Sequence, residues 1–480
     1  MSSIRRAPVW LVLIAASLPM FMATLDNLVI TNALPVMAVD LGASIEELQW
    51  FLNAFTLAFA TFMLPAAALG DRVGRRTVFL AGIAVFGAAS ALTALSTEPW
   101  MVIGARALQG FGAAAIMPLS LTLLAGAVPP RLRPAAIGIW GGVSGLGVAL
   151  GPLVGGAIIE GWNWQSIFWI NIPIAVAAIV LVRAVLPNTL GERKPLDLPG
   201  VALAGLGVLG IVYGIVRGND AGWASAEVLG SLGLGAVLLL AFIAWESRTA
   251  APLLPLALFR ERGFSVANAV GLTFSFGVFG AIFLLVQFFQ VVQGSSPLEA
   301  GLMTSPWTIA PMVVAPIAGA LAPRVGTRAL MIAGLAAQSA ALFWIAGLLA
   351  EDVAYASMVP PFLLAGIGMG LVFAPMATAV LANVPEHHHA TASGTNSTLR
   401  EVGGALGIAV ITAVFTGAGG ELTPTGYVDA AVPAVATGAA VLALAFLLAF
   451  LLPAGRGTST EPARREEEVR QPVAEVPVGV

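Results

Sequence analysis

The chain has 480 residues, 58% of them hydrophobic and only 10% charged, with a formal net charge of −3 and a mean hydropathy of +0.93. This composition excludes a soluble globular domain and a basic nucleic-acid-binding surface, and leaves a polytopic membrane protein with the lipid bilayer as its surroundings. Cysteine is absent, which excludes disulfides and thiolate chemistry.

Stretches near the ~20 apolar residues needed to cross a hydrocarbon core occur fourteen times. Their approximate spans are 8–36, 47–69, 77–97, 100–126, 134–158, 165–187, 198–216, 226–245, 264–291, 298–321, 329–349, 355–383, 395–417 and 429–453. Arg5 and Arg6 ahead of the first stretch mimic a secretory leader. The apolar run is about twice a leader's length, however, and carries Asp26, so it is taken as a retained first span. The polar, charge-mixed tail from Arg456 to Val480 is expected to be disordered.

Basic residues collect on the cytoplasmic side of a membrane protein. With the N-terminus inside, 20 of the 22 Lys and Arg residues fall in cytoplasmic segments, Arg400 counted among them; Arg217 lies in an outside loop and Arg106 within the fourth span. One missed or invented span would reverse every later loop, so the agreement supports fourteen. Both termini are then cytoplasmic.

The first span contains "FMATLDNLVITNALP", with Asp26 as the one carboxylate in an otherwise lipid-soluble run. A charge at that depth costs at least ~2.5 kcal/mol, which makes a functional or paired role the expectation. In the fourth span, "GARALQGFGAAAIMP" puts Arg106 and Gln109 three residues apart on one helix face, at a depth similar to that of Asp26. If the two helices are neighbours, the opposite charges offset each other's burial. Snorkelling of Arg106 to the outer surface and a purely structural Asp26 are the alternatives.

Between the second and third spans, "LGDRVGRR" turns the chain at Gly74 and offers Asp71, Arg72, Arg75 and Arg76. A tight basic turn explains the arginines but not Asp71, which is expected to cap a helix or pair with an arginine across the molecule as a conformational latch. The fifth span, "GIWGGVSGLGVALGPLVGG", includes Gly138, Gly147, Gly151, Pro152, Gly155 and Gly156. Small residues at four-residue intervals admit close helix packing, and the proline predicts a bend.

The pattern repeats. "DRVGRRTVFLAG" (71–82) matches "PRVGTRALMIAG" (323–334) at 6 of 12 positions, and the spacing of Gly138, Gly147 and Gly151 recurs in Gly394, Gly403 and Gly407. Both matches relate span n to span n+8. They predict an all-α fold of two six-helix halves, residues 1–187 and 251–455, with two inserted helices in 188–250 and a tail in 456–480. Such parallel six-helix repeats are the arrangement of major facilitator transporters.

At this level of detail the chain resembles the fourteen-span drug:proton antiporters of the major facilitator superfamily. "LDNLVITNALP" is similar to their first-helix motif, "LGDRVGRR" to their loop motif, "RALQG" to their fourth-helix motif, and the fifth-span glycines with Pro152 to their antiporter motif. "WNWQSIFWINIPIA" (162–175) and "LDLPG" extend the likeness over nearly the whole chain. One departure is Ala67, where the loop motif usually has glycine.

The resemblance implies a proton-driven exporter, with Asp26 as the proton- or substrate-coupled acid and Arg106 and Gln109 beside it. Relatives with acids deep in helices 2 or 10 handle divalent cations. This chain has none deep in those helices, which favours singly charged, neutral or zwitterionic amphiphiles. A cavity between the halves is expected to draw on Asn27, Thr31, Asn53, Ser275, Trp307, Thr308 and Gln338, in walls too apolar for a sugar. An uptake symporter shares the fold and differs in the fifth-helix motif and in the direction of flux. An enzyme would need paired carboxylates, a metal cluster or an activated nucleophile, which one acid and one arginine do not supply. No cofactor is expected, nor a metal site at His387, His388 and His389, since consecutive residues of a helix cannot converge on one ion. The expected partners are protons and a small amphiphile, and the expected state a monomer in the plasma membrane.

Overall fold

The computed structural model describes residues 8–191, 195, 197–250, 252–382, 384 and 389–453. The tail from Arg456, Arg5 and Arg6, and His387 and His388 lie outside the described residues. His389 opens a helix.

The N-terminal half comprises α1 (Val9–Leu41), α2 (Ile45–Val73), α3 (Arg75–Ala94), α4 (Pro99–Ala127), α5 (Arg133–Gly161) and a sixth span broken into α6 (Ser166–Trp169) and α7 (Asn171–Val185). The inserted hairpin is α8 (Leu198–Ala221) and α9 (Ala226–Glu246). The C-terminal half comprises α10 (Arg262–Val291), α11 (Pro297–Val325), α12 (Thr327–Leu348), α13 (Tyr355–Leu381), α14 (His389–Gly417) and α15 (Pro424–Ala449). Among the described residues, thirteen helices are long and apolar enough to cross a membrane, α6 with α7 counted as one, and α5 completes fourteen.

The repeat inferred from sequence recurs in local geometry. The second span of each half opens with the same capping box: Ser44 and Glu47 exchange side-chain and backbone bonds at the start of α2, as do Ser296 and Glu299 at the start of α11. The turns that follow these helices pivot on Gly74 (φ 127°) and Gly326 (φ 94°), a backbone conformation that favours glycine. Gly147 packs over Thr24 and Gly151 over Leu28 of α1, while their counterparts Gly403 and Gly407 pack over the backbone of Leu272 and Phe276 in α10.

The inserted hairpin lies against the seam between halves. Val212 and Val216 of α8 share an apolar cluster with Leu57 of α2 and with Ala405 and Ala409 of α14. Arg217, expected in an outside loop, sits in the last turns of α8 and is held by Glu46 (3.2 Å), Asp220 (2.6 Å) and Glu227 (3.0 Å). The exception to the positive-inside pattern is therefore neutralised locally.

One basic residue must be reassigned. Arg400, counted above as cytoplasmic, is eleven residues into α14, about 16 Å from its start. The structure begins that helix at His389, well before the expected 395, because the polar run "ATASGTNSTL" (390–399) is helical despite its low hydropathy.

Candidate functional site

Five spans converge on Asp26, which is 4% exposed. Arg106 of α4, wholly buried, donates from Nη1 to Asp26 Oδ2 at 2.5 Å. Gln109 of α4 and Asn171 of α7 donate to Asp26 Oδ1 at 3.3 and 2.6 Å. Ser90 of α3 accepts from both amides, from Gln109 at 2.7 Å and from Asn171 at 3.3 Å. Arg106 is itself positioned by Nε donation to the carbonyl of Phe51 at 3.0 Å and by the Phe55 ring, 4.4 Å from the guanidinium, both on α2. Its Nη2 has no partner.

The expected association of Asp26, Arg106 and Gln109 is therefore present, and Arg106 does not snorkel. Opposite charges and oriented amide dipoles offset the desolvation of each ion. Sequence reasoning missed Asn171 and Ser90. The signal was an amide at the broken start of the sixth span and a hydroxyl midway along α3, each among apolar residues.

Asp26 points into the N-terminal half, whereas the next residue points elsewhere. Asn27, Leu28 and Thr31 line a cavity between the halves with Leu52 and Thr56 of α2, Phe279, Ile282 and Phe283 of α10, and Glu401, Gly404 and Ile408 of α14. Its volume is about 20 Å³, room for about one water. Of the seven expected lining residues only Asn27 and Thr31 border it. Asn53, Ser275, Trp307 and Gln338 are buried with side-chain polar atoms unpaired, while Thr308 bonds the Ser305 carbonyl of its own helix at 3.4 Å. Gln338 also donates to Ala365 O at 2.9 Å, which ties α12 to α13.

Glu401 was not anticipated. With Arg400 it makes a second deep charged pair of residues, so the description of the interior as one acid and one arginine is corrected. The guanidinium of Arg400 lies 4.5 Å from the Phe373 ring of α13, and its Nε is unpaired.

At the end where α5 finishes and α11 begins, the outer end by the arginine distribution, the halves are in contact. Asn32 donates to Pro152 O at 2.6 Å within its half and to Pro297 O of α11 at 3.3 Å. Gln290 donates to Asn32 O at 3.0 Å, and Ser296 to Glu160 at 2.9 Å. A Cβ on Gly156 would stand 2.5 Å from Leu298 Cα and Pro297 O. The glycine motif thus divides its faces: Gly147, Gly151 and Gly155 meet α1, while Gly156 meets the other half. Gly138 lies within α5. All hydrogen bonds joining the two six-helix halves among the described residues are at this end.

At the opposite end the loop motif makes no hydrogen bond or ion pair across the halves among the described residues. Asp71 instead accepts from Arg75 Nε at 2.7 Å within the same turn. Arg76 donates to Leu186 O at 2.9 Å, the Arg75 amide to Thr189 O at 2.9 Å, and the Gly191 amide to Asp71 O at 2.9 Å, so the turn docks on the segment leaving α7. Arg72 is exposed.

The Major Facilitator Superfamily profile matches residues 16–408 and 293–478. The cephamycin export protein CmcT of Amycolatopsis lactamdurans is 38% identical over 422 residues, covering 86% of this chain and 86% of that protein. The tetracenomycin C resistance and export protein of Streptomyces glaucescens is 32% identical over 436 residues, covering 90% of this chain and 81% of that protein. Among solved structures, the nucleoside transporter NupG superposes with a TM-score of 0.66 at 13% identity, covering 92% of this chain and 100% of that one. A bacterial homologue of the human lysosomal transporter Spinster, inward-facing and unoccupied, does so with a TM-score of 0.63 at 17% identity, covering 92% and 97%. At these identities the two structures speak to the fold.

Proposed function

Since the chain belongs to the major facilitator superfamily, we propose that it is a proton-coupled antiporter that exports hydrophobic or amphiphilic drugs or antibiotics across the plasma membrane by alternating access. The relatives named as antibiotic export proteins support the export of small molecules. The observation that carries proton coupling is the buried carboxylate of Asp26, held by Arg106, Gln109 and Asn171 but outside the apolar cavity.

In this reading residues 1–187 and 251–455 rock about the cavity, with 188–250 as an inserted brace. Asp26 carries the proton. A proton shifts a conformational equilibrium only if the two conformers bind it differently. Neutralising Asp26 removes the charge that orders Arg106, and Arg106 holds α2 through the Phe51 carbonyl. The protonated acid therefore loosens the packing of α1, α2 and α4. Asn27 and Thr31, about 100° further round α1 or one turn along it, carry the change to the cavity. Glu401 supplies a negative group there for the cationic end of an amphiphile, and Phe279, Ile282 and Phe283 an apolar wall. In the present conformer the cavity admits no drug-sized ligand, so substrate enters only after the walls part.

The test is efflux from expressing cells across a panel of antibiotics and cationic dyes, with and without an uncoupler. Gradient-dependent export of at least one compound is expected, since ~2.3 kcal/mol per charge per 100 mV is available to drive it. Efflux that persists after collapse of the gradient and follows ATP would refute the reading.

A further inference from the structure

At the end of the bundle where α8 begins and α9 finishes, two carboxyl groups are buried against one another. Asp197 caps α8 and is 9% exposed; Glu246 is the last residue of α9 and is 4% exposed. Two of their four oxygens accept three hydrogen bonds. Asp197 Oδ1 accepts from the Gly200 amide at 2.9 Å and from the Trp245 indole at 2.7 Å. Glu246 Oε2 accepts from the Leu254 amide at 2.9 Å. The remaining oxygens, Asp197 Oδ2 and Glu246 Oε1, are buried without a donor. Both border the space that a single Cβ on Gly200 would fill, with Glu246 Oε1 2.6 Å from that point.

No described arginine or lysine is within ion-pair distance of either carboxyl. Arg248, two residues beyond Glu246, is exposed, as are Arg260, Glu261 and Arg262 where the chain enters α10. On α2, which packs beside α8, Asp71 is engaged by Arg75 and Arg72 is exposed, and on α14 Glu401 faces the cavity between the halves. Among the described residues, the groups facing the pair are the backbone amides of Gly200, Leu253 and Leu254, the Trp245 indole and the partner carboxyl. Two anions cannot share such a site without a cation between them, and the smallest that joins two orphaned acceptors is a proton.

We propose that Asp197 and Glu246 bind one shared proton, and that this carboxyl–carboxylate pair clamps the open end of the inserted hairpin to the segment leading into the C-terminal half. Glu246 carries the proton and donates it to Asp197. Burial opposes ionisation of Asp197, but hydrogen bonds from the Gly200 amide, Glu246 and Trp245 outweigh it and hold that carboxyl below its usual value. The clamp has a mechanical reach, because Leu254, bonded to Glu246, precedes α10, while α8 lies on the α2–α14 seam. Loss of the proton leaves two adjacent charges and frees the hairpin base. A proton bound by the folded state and absent from the unfolded one makes stability fall as pH rises through the folded value. The site is distinct from Asp26 and does not depend on proton-driven transport.

The test uses the full-length protein in lipid nanodiscs, with Asp26→Asn as the background so that transport protonation is silent. Infrared difference spectra across a pH step from about 5 to 9 are expected to contain a protonated-carboxyl carbonyl band, lost in Glu246→Gln and in Asp197→Asn. The asparagine keeps the helix cap, so folding is retained in at least that variant. The thermal midpoint of the background protein should fall with rising pH by roughly 2 °C per unit over the titration, and that slope should be absent from both variants. A band unchanged by both substitutions overturns the proposal. So does stabilisation by millimolar Na⁺, Mg²⁺ or Ca²⁺ that requires Glu246, which would assign the site to a metal ion.

Discussion

Replacing Gly156 by alanine tests whether the outer contact is a moving seam. The added methyl carbon would stand 2.5 Å from both Leu298 Cα and Pro297 O, against the ~3.5–4.0 Å of an ordinary carbon contact. Both are main-chain atoms at the start of α11, so no side-chain rotation relieves the clash, and α5 and α11 must separate by about 1 Å. Overpacking of this kind costs about 1–3 kcal/mol. The cost falls only on the conformer in which the outer ends touch, so the equilibrium should shift toward outer opening by about 5- to 150-fold. The absence of native cysteine makes the measurement clean. Spin labels on Trp162→Cys and Asp352→Cys, exposed positions at the outer ends of the two halves, should report a longer distance in Gly156→Ala, with reduced efflux. An unchanged distance distribution together with normal efflux would show that α5 and α11 do not part there during transport.

Asp26→Asn keeps the shape of a protonated acid and abolishes titration; proton-driven efflux in proteoliposomes should vanish while binding of a fluorescent substrate persists. Asn171→Ala removes a 2.6 Å donor to the carboxylate, a charge-assisted bond worth about 1.5–3 kcal/mol, and should cut proton-driven efflux about tenfold or more at unchanged expression. Glu401→Gln should lose export of cationic amphiphiles selectively and retain that of neutral ones, as read by parallel efflux assays on matched compounds. Equal loss of both classes would place Glu401 in the conformational machinery and not against the substrate.

The number of spans was legible because hydropathy and the arginine distribution constrain each other, and the internal repeat was legible because close packing leaves few residue choices. Gly147 and Gly403 had to be small where α1 and α10 cross them. The association of Asp26 with Arg106 could be argued from depth alone, since two opposite charges in hydrocarbon have few alternatives to each other. Asn171 could not be found that way. An uncharged amide is cheap enough in a membrane helix to serve many purposes, and only the break between α6 and α7 aims it at Asp26. Glu401 escaped for a different reason: it lies six residues into the expected span beside Arg400, which was counted with the cytoplasmic loop, whereas the helix begins at His389 and carries both residues deeper, its polar side chains facing protein. Asn268 of α10, for example, accepts from Asn396 at 3.1 Å.

The proposed exchange of a proton for a drug requires that the two influence each other without competing for one group, and α1 has a geometry suited to this. Its residue 26 faces a buried polar network of the N-terminal half, and its residues 27, 28 and 31 face the cavity between halves. A few residues further along, Asn32 stitches the same helix to Pro152 of the glycine-rich α5 and to Pro297 of α11. The acid, the cavity wall and the outer closure therefore lie on one rigid element within two helical turns, about 10 Å. A small rotation of α1 on neutralisation of Asp26 would alter all three together, since packed interfaces switch between discrete arrangements and do not deform continuously. Gly147, Gly151 and Gly155 offer α1 a surface with few side chains to interlock, which is the property such a rotation needs.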